Sequence, residues 1–318
     1  MKFIQKHKIP LSIIRLGEYL ITLLRMITKR SQQRAYSLDS QPFFIIGCGR
    51  SGNTLLRSML CAGGNVVIPP ESYVIPRVIR RFTAYNHLPW DVLASMVISE
   101  FEAFKEFYTW DVNLYSVHQK ARNLNGKEKT LGNVIDLVYQ EYAKKVGCEG
   151  TRWADKTPIN SLYVAKIIKV FPDAKIIHLI RDPRATSLSY VKAGLEETLS
   201  DAAEFWCNAN EAIEKVKKQN PEKFTMIKYE DLVKDPESIL VQVCKHVGLP
   251  FSMKMLNHSE SNKARDDTDA HKHHENSKKP LSTKYVNQWK NDLTAQELSV
   301  LDKILQNCSL FNVYKYKD

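Results

Sequence analysis

The stretch PFFIIGCGRSGNTLLRSMLCAGG, residues 42–64, decides the fold. Its apolar opening, Pro42 to Gly47, has the length and bounds of a short buried strand, and the segment from Thr54 is apolar-rich, helical in length and closed by Gly63 and Gly64. Between them, Gly47-Cys-Gly-Arg-Ser-Gly-Asn-Thr54 has the outline of a P-loop, in which glycines let successive backbone N–H groups face an anion at a helix N-terminus. Asn53 stands where a magnesium-dependent nucleotide triphosphatase needs lysine, so much of the charge neutralisation of such an enzyme is missing. The cation sits instead at Arg50, whose planar guanidinium suits bidentate contact with a phosphate or sulfate oxygen and needs no metal bridge. Taken alone, the same residues also describe an ordinary glycine turn with a surface arginine.

A second anion site is written at residues 174–190. AKIIHLI reads as a strand, and RDPRATSLSY carries the chain into a helix, so Arg181 leaves a strand end beside a helix N-terminus. Ser189 follows on that helix and is expected to turn its hydroxyl toward the same side; a surface ion pair of Asp182 or Arg184 with a snorkelling Arg181 is the alternative. FTMIKY, Phe224 to Tyr229, is a third strand. TRWADKTPIN reads as a lead-in to a helix capped by Thr157, with Pro158 in its first turn, running to about Phe171. Apolar residues at Leu131, Val134, Ile135, Val138, Tyr142 and Val146 predict an amphipathic helix. This alternation implies an α/β fold of P-loop type, three layers with a central parallel sheet flanked by helices and ligands at the C-terminal strand ends.

The whole chain fits that frame. With 318 residues, 43% hydrophobic and 25% charged, one large domain is expected over residues 41–318, with an aromatic-rich helical insertion near 76–125 shaping an acceptor pocket. A formal charge of +11 favours an anionic partner. Scattered basic residues, without a zinc-finger spacing or an aromatic RNA signature, point to a nucleotide-sized anion and not to nucleic acid. Residues 1–40 read as an amphipathic helix and linker, too often interrupted by Arg15, Glu18 and Arg25 to span a bilayer. Such a helix docks on its own domain or rests on an anionic membrane. The six cysteines form no C-x-x-C, and His271, His273 and His274 lie in a polar tract without acidic or cysteine partners at ligand spacing, so no metal is expected.

Together, PFFIIGCGRSGNTLLRSML and IIHLIRDPRATSLSY resemble the 5′-phosphosulfate loop and the 3′-phosphate strand-helix motif of sulfotransferases that use 3′-phosphoadenosine 5′-phosphosulfate (PAPS). The similarity extends through WADKTPIN, IKYEDLVKDPESILVQVCKHVGLPF and NQWKNDL, over roughly residues 42 to 305. PPESYVIPRVIRRF, which follows the first helix, is most similar to the branch of the protein-tyrosine sulfotransferases and their bacterial relatives. The resemblance implies that Arg50, Ser51, Gly52, Asn53 and Thr54 bind the 5′-phosphosulfate and that Arg181 and Ser189 bind the 3′-phosphate. It also implies that Tyr229 lines the nucleotide site and that Lys279, or its neighbour Lys278, closes over PAPS. Glu71 is the implied general base for in-line attack by a hydroxyl, with a turn cap as its bland alternative. Lys156, helped by Arg50, would offset charge on the leaving phosphate. Asp155 would orient that lysine or serve as a helix-start acid.

The chain departs from that branch where Tyr73 replaces an arginine that helps bind acidic peptides, while Arg77 is kept. The acceptor is therefore open among a tyrosyl peptide, a carbohydrate, a lipid and a small-molecule hydroxyl. A cytoplasmic location, with peripheral membrane contact through the N-terminal helix as an option, is expected. The rival readings are a P-loop kinase and a non-catalytic nucleotide-binding protein.

Overall fold

The computed structural model describes residues 11–28, 31–148, 150–258 and 281–315. Five parallel strands form one sheet: β1 (Phe43–Ile46), β2 (Val66–Val67), β3 (Arg152–Lys156), β4 (Lys175–Ile180) and β5 (Phe224–Lys228), in the order β2-β3-β1-β4-β5. The glycine-loop strand is central. Phe43 of β1 is in register with Ala154 of β3 on one side and Lys175 of β4 on the other.

Successive side chains of a strand point to opposite faces, and β1 shows the consequence directly. Phe44 and Ile46 face one apolar layer, with Val134, Val138, Trp153, Phe171 and Ile176. Phe43 and Ile45 face a second, with Leu56, Met59, Ile177, Leu179 and Val243. All four β1 side chains are buried, as a central parallel strand covered on both faces requires. Helices supply the outer layers. The first layer is covered by α3 (Ile75–Tyr85), α4 (Trp90–Glu102), α5 (Tyr115–Arg122), α6 (Leu131–Lys145) and α7 (Val164–Val170). The second is covered by α2 (Asn53–Ala62), α10 (Tyr229–Lys234) and α11 (Pro236–Val247). A third cluster joins α8 (Pro183–Lys192) and α9 (Leu199–Lys217) to Trp289 and the helix Ala295–Leu305.

The expected α/β fold with a central parallel sheet flanked by helices is thus present, and the segment expected as an insertion carries α3, α4 and α5. Three expectations need correction. The sheet has two more strands than the sequence reading named, β2 and β3. The helix expected from Thr157 to Phe171 is a 3-10 turn at Pro158–Tyr163 followed by the short α7. Thr157 does not cap it; the hydroxyl donates to Asp155 Oδ2 at 3.2 Å and accepts from the Ser72 N–H at 3.3 Å. Finally, β5 stops at Lys228, and Tyr229 opens α10. The N-terminal helix, α1 (Leu11–Thr28), leaves Ile13, Leu16, Tyr19, Leu20, Ile21, Leu24 and Ile27 each more than half exposed. No helix among the described residues is long and apolar enough to cross a membrane.

Candidate active site

Every strand of the sheet delivers a candidate group at its C-terminal end. The loop after β1 carries Arg50 to Thr54, β3 ends on Lys156, Arg181 follows β4 and Tyr229 follows β5. Glu71 comes from the segment after β2, which follows the first helix of the sheet-forming chain as the sequence reading has it. This edge is where an open parallel sheet binds ligands.

Two glycines let the loop close on its neighbours. A Cβ on Gly49 would lie 2.2 Å from the Tyr190 hydroxyl. Gly52, at φ 97°, would place one 2.5 Å from Tyr229 Cδ2, so Tyr229 acts as a wall that only glycine can approach. Arg50 itself is left-handed, at φ 61°. Its Nε donates to Ser189 Oγ at 3.1 Å, and its carbonyl accepts from Arg181 at 3.0 Å. The two sites expected on separate phosphates therefore meet around Arg50. Arg181 also donates to the Tyr285 carbonyl at 2.8 Å and lies over the Tyr229 ring at 4.5 Å. Burial, and then the neighbouring Arg181 charge, lowers the pKa of Arg50 below the usual guanidinium range. A bound anion relieves that repulsion.

Alanine at Gly49 should therefore weaken nucleotide binding more than alanine at exposed Gly126, whose Cβ would meet nothing within 4 Å. Calorimetry with adenosine 3′,5′-bisphosphate (PAP) reads the difference; equal affinities would mean that the loop tolerates being pushed off Tyr190.

Asn53 serves the loop internally, its amide donating to the Cys48 carbonyl at 3.0 Å. The Ser51 and Ser187 hydroxyls and Arg181 Nε are buried without a hydrogen-bond partner. Buried polar atoms cost free energy unless paired, so each of these three is a donor that a bound anionic group could satisfy. The alternative for Asp182 and Arg184 is corrected: they form a buried ion pair at 2.8 Å, with Arg184 3.8 Å over the Trp289 ring, and not a surface bridge.

Glu71 and Lys156, expected in separate roles, touch each other. Lys156 Nζ donates to Glu71 Oε1 at 2.5 Å and to Thr54 Oγ1 at 3.3 Å, linking the carboxylate to the glycine loop. Lys156 is almost wholly buried, whereas Glu71 retains some exposure. The other Glu71 oxygen, Oε2, accepts from the Tyr73 hydroxyl at 2.5 Å. Asp155 lies beneath, fully buried, taking hydrogen bonds from Tyr139 (2.5 Å), Asn160 (2.6 Å) and Thr157. Burial pushes its pKa up to about 6 despite those donors. Its side-chain donors tie β3 to α6 and the following turn, and Lys156 is the next residue, so Asp155 fixes the strand end that presents the lysine.

Two features escaped the sequence reading. Tyr73 entered only as a missing arginine, and nothing local in the sequence signals its contact with Glu71. Arg77, noted in the sequence only as kept, is paired with buried Glu100 at 2.5 Å, and Arg81 joins the same carboxylate. Lys279, Lys278, His271, His273 and His274 lie outside the described residues.

A strand, a glycine loop and a helix, with cations gathered at the C-terminal edge of a parallel sheet, define a P-loop-type nucleotide-binding fold. More narrowly, the chain belongs to the sulfotransferase family, whose sequence profile matches residues 42–253. It is 27% identical over 237 residues to a Drosophila melanogaster protein-tyrosine sulfotransferase, an alignment covering 72% of this chain and 42% of that protein. It is 24% identical over 253 residues to the omega-hydroxy-beta-dihydromenaquinone-9 sulfotransferase Stf3 of Mycobacterium bovis, covering 65% and 63%. Against the first of these, the chain spans less than half of its relative's length. Among solved structures, the sulfotransferase domain from the curacin biosynthetic pathway is similar with a TM-score of 0.58 at 21% identity, over 88% of this chain and 99% of that one. Mouse sulfotransferase SULT7A1, solved in complex with PAP, gives 0.50 at 13%, over 90% and 92%.

Proposed function

We propose that the protein transfers the sulfuryl group of PAPS to a hydroxyl acceptor by in-line displacement, with Glu71 as general base. The observation that carries this reading is the chain of contacts from Glu71 through Lys156 to Thr54, which sets a carboxylate beside a cation beside an anion loop. Arg50, Ser51, Gly52, Asn53 and Thr54 would hold the 5′-phosphosulfate, Arg181 and Ser189 the 3′-phosphate, with Tyr229 as the wall and Lys279 closing over them. PAPS supplies an activated sulfuryl group on a good leaving phosphate. The residues of this chain do the rest: Glu71 takes the acceptor proton, and Lys156 and Arg50 balance negative charge as it moves to the leaving oxygen. No step calls for a metal.

The acceptor class follows from what surrounds Glu71. Arg77 is already engaged by Glu100, and Tyr73 stands where an arginine would favour an acidic peptide, so a neutral phenol or alcohol is the better match. The exposed apolar side chains of α1 are suited to a membrane surface and to a lipid-borne acceptor.

Calorimetry in EDTA tests the donor site. PAP should bind without metal and more tightly than AMP or ATP, and Arg181→Ala should weaken PAP binding by about 1.5–3 kcal/mol, the scale of a charged hydrogen bond. Equal affinity for PAP and AMP would remove the 3′-phosphate from Arg181 and Ser189.

A further inference from the structure

The Tyr73 side chain meets the requirements of an acceptor. Its phenolic O–H donates to Glu71 Oε2 at 2.5 Å, within the reach a general base needs of the proton it removes. The other oxygen of the same carboxylate is on Lys156, which reaches Thr54 of the glycine loop. The hydroxyl thus stands on the base at the position an incoming acceptor hydroxyl has to take.

The backbone holds it there at a cost. Tyr73 is left-handed, at φ 52°, a conformation that is uncommon and strained for a bulky side chain. Its ring packs on Phe104, with centroids 5.9 Å apart. Desolvation at the hydroxyl end, followed by the Glu71 charge, raises the phenol well above its ordinary pKa, so the proton stays in place until a base removes it. The residue as a whole is 46% exposed, so its side chain is not sealed in the core.

We infer that Tyr73 is itself an acceptor: with donor bound and no competing hydroxyl present, the protein sulfates its own Tyr73. The inference rests on the proposed sulfuryl transfer from PAPS. In the step, the phenolic oxygen forms a bond to sulfur and the S–O bond to the 5′-phosphate breaks. The electron pair leaves with PAP, and the phenolic proton passes to Glu71. An external acceptor must displace the same phenol, so it competes with self-modification.

The test is incubation of the full chain with PAPS and no acceptor, followed by intact mass and peptide mapping, with PAP affinity measured in parallel. The expected result is one added sulfuryl group on Tyr73, at a first-order rate that does not change with protein concentration. The modification should be absent in Tyr73→Phe and at least 100-fold slower in Glu71→Gln. Sulfation of another of the 14 tyrosines, or a rate that rises with protein concentration, would overturn the inference. So would an unmodified Tyr73 in a protein that binds PAP and sulfates an added phenol. Failure to bind PAP at all would overturn the donor site, and this inference with it.

Discussion

Glu71→Gln should lower turnover about 10²–10⁴-fold, the range that general-base catalysis commonly contributes, and leave the dissociation constant for PAP unchanged. The two halves of that expectation have different structural grounds. Glutamine keeps an oxygen for Lys156 and nearly the same volume, so the lysine can stay in place and keep its contact with Thr54 of the glycine loop. What is lost is the ability to accept a proton from an acceptor hydroxyl. Because the effect falls on a transition-state interaction, kcat and kcat/KM should drop together. Near-normal turnover in a folded Glu71→Gln protein would eliminate this residue as the base.

Lys156→Ala should be comparably severe by a different route. Removing one preorganised donor to developing charge costs about 10²–10³-fold in kcat, and here the lost ammonium also neutralised Glu71 and touched Thr54. Nucleotide affinity should therefore fall along with turnover, in contrast to Glu71→Gln. The two residues share an ion pair, so their effects should not add: the double variant should be much less impaired than the product of the single losses predicts. Additive losses would mean that base and cation act independently. A thermal melt of each variant separates these outcomes from loss of the fold, because breaking a buried pair also carries a stability cost.

The parts of the site that could be read from the chain are those in which local rules and function agree. FFII before GCGRSGN, and KIIHLI before RDP, are apolar runs punctuated by glycine or proline, and each became a buried strand delivering its cation at the sheet edge. RWADK failed because Asp155 and Lys156 are charges inside a strand, stable there only through contacts with Tyr139, Asn160, Thr157 and Glu71 that arrive from elsewhere in the chain. The two-residue β2 is too short to show any alternation. Glu71 was found through a family resemblance and not through periodicity, and its contact with Tyr73 depends on a left-handed backbone at a residue that rarely adopts one. The pairing of Arg77 with Glu100, one helix away on α4, likewise leaves no local mark in the sequence.

The strand order has a consequence for how the chain is made. β1, near the start of the sheet-forming sequence, is the central strand, yet its two partners begin at Arg152 and Lys175. At roughly 5–20 residues per second of synthesis, Phe43 to Ile46 wait on the order of ten seconds for either neighbour to be translated. Through that interval an apolar strand with two unpaired edges is open to wrong partners, and its pairing closes a long loop, which slows folding. The phosphate loop, tethered to that strand, can take its final shape only after β3 and β4 have docked. Shortened chains ending before about residue 180 should therefore accumulate as aggregates or chaperone-bound species, and acquisition of nucleotide binding should be a late, cooperative event in biogenesis.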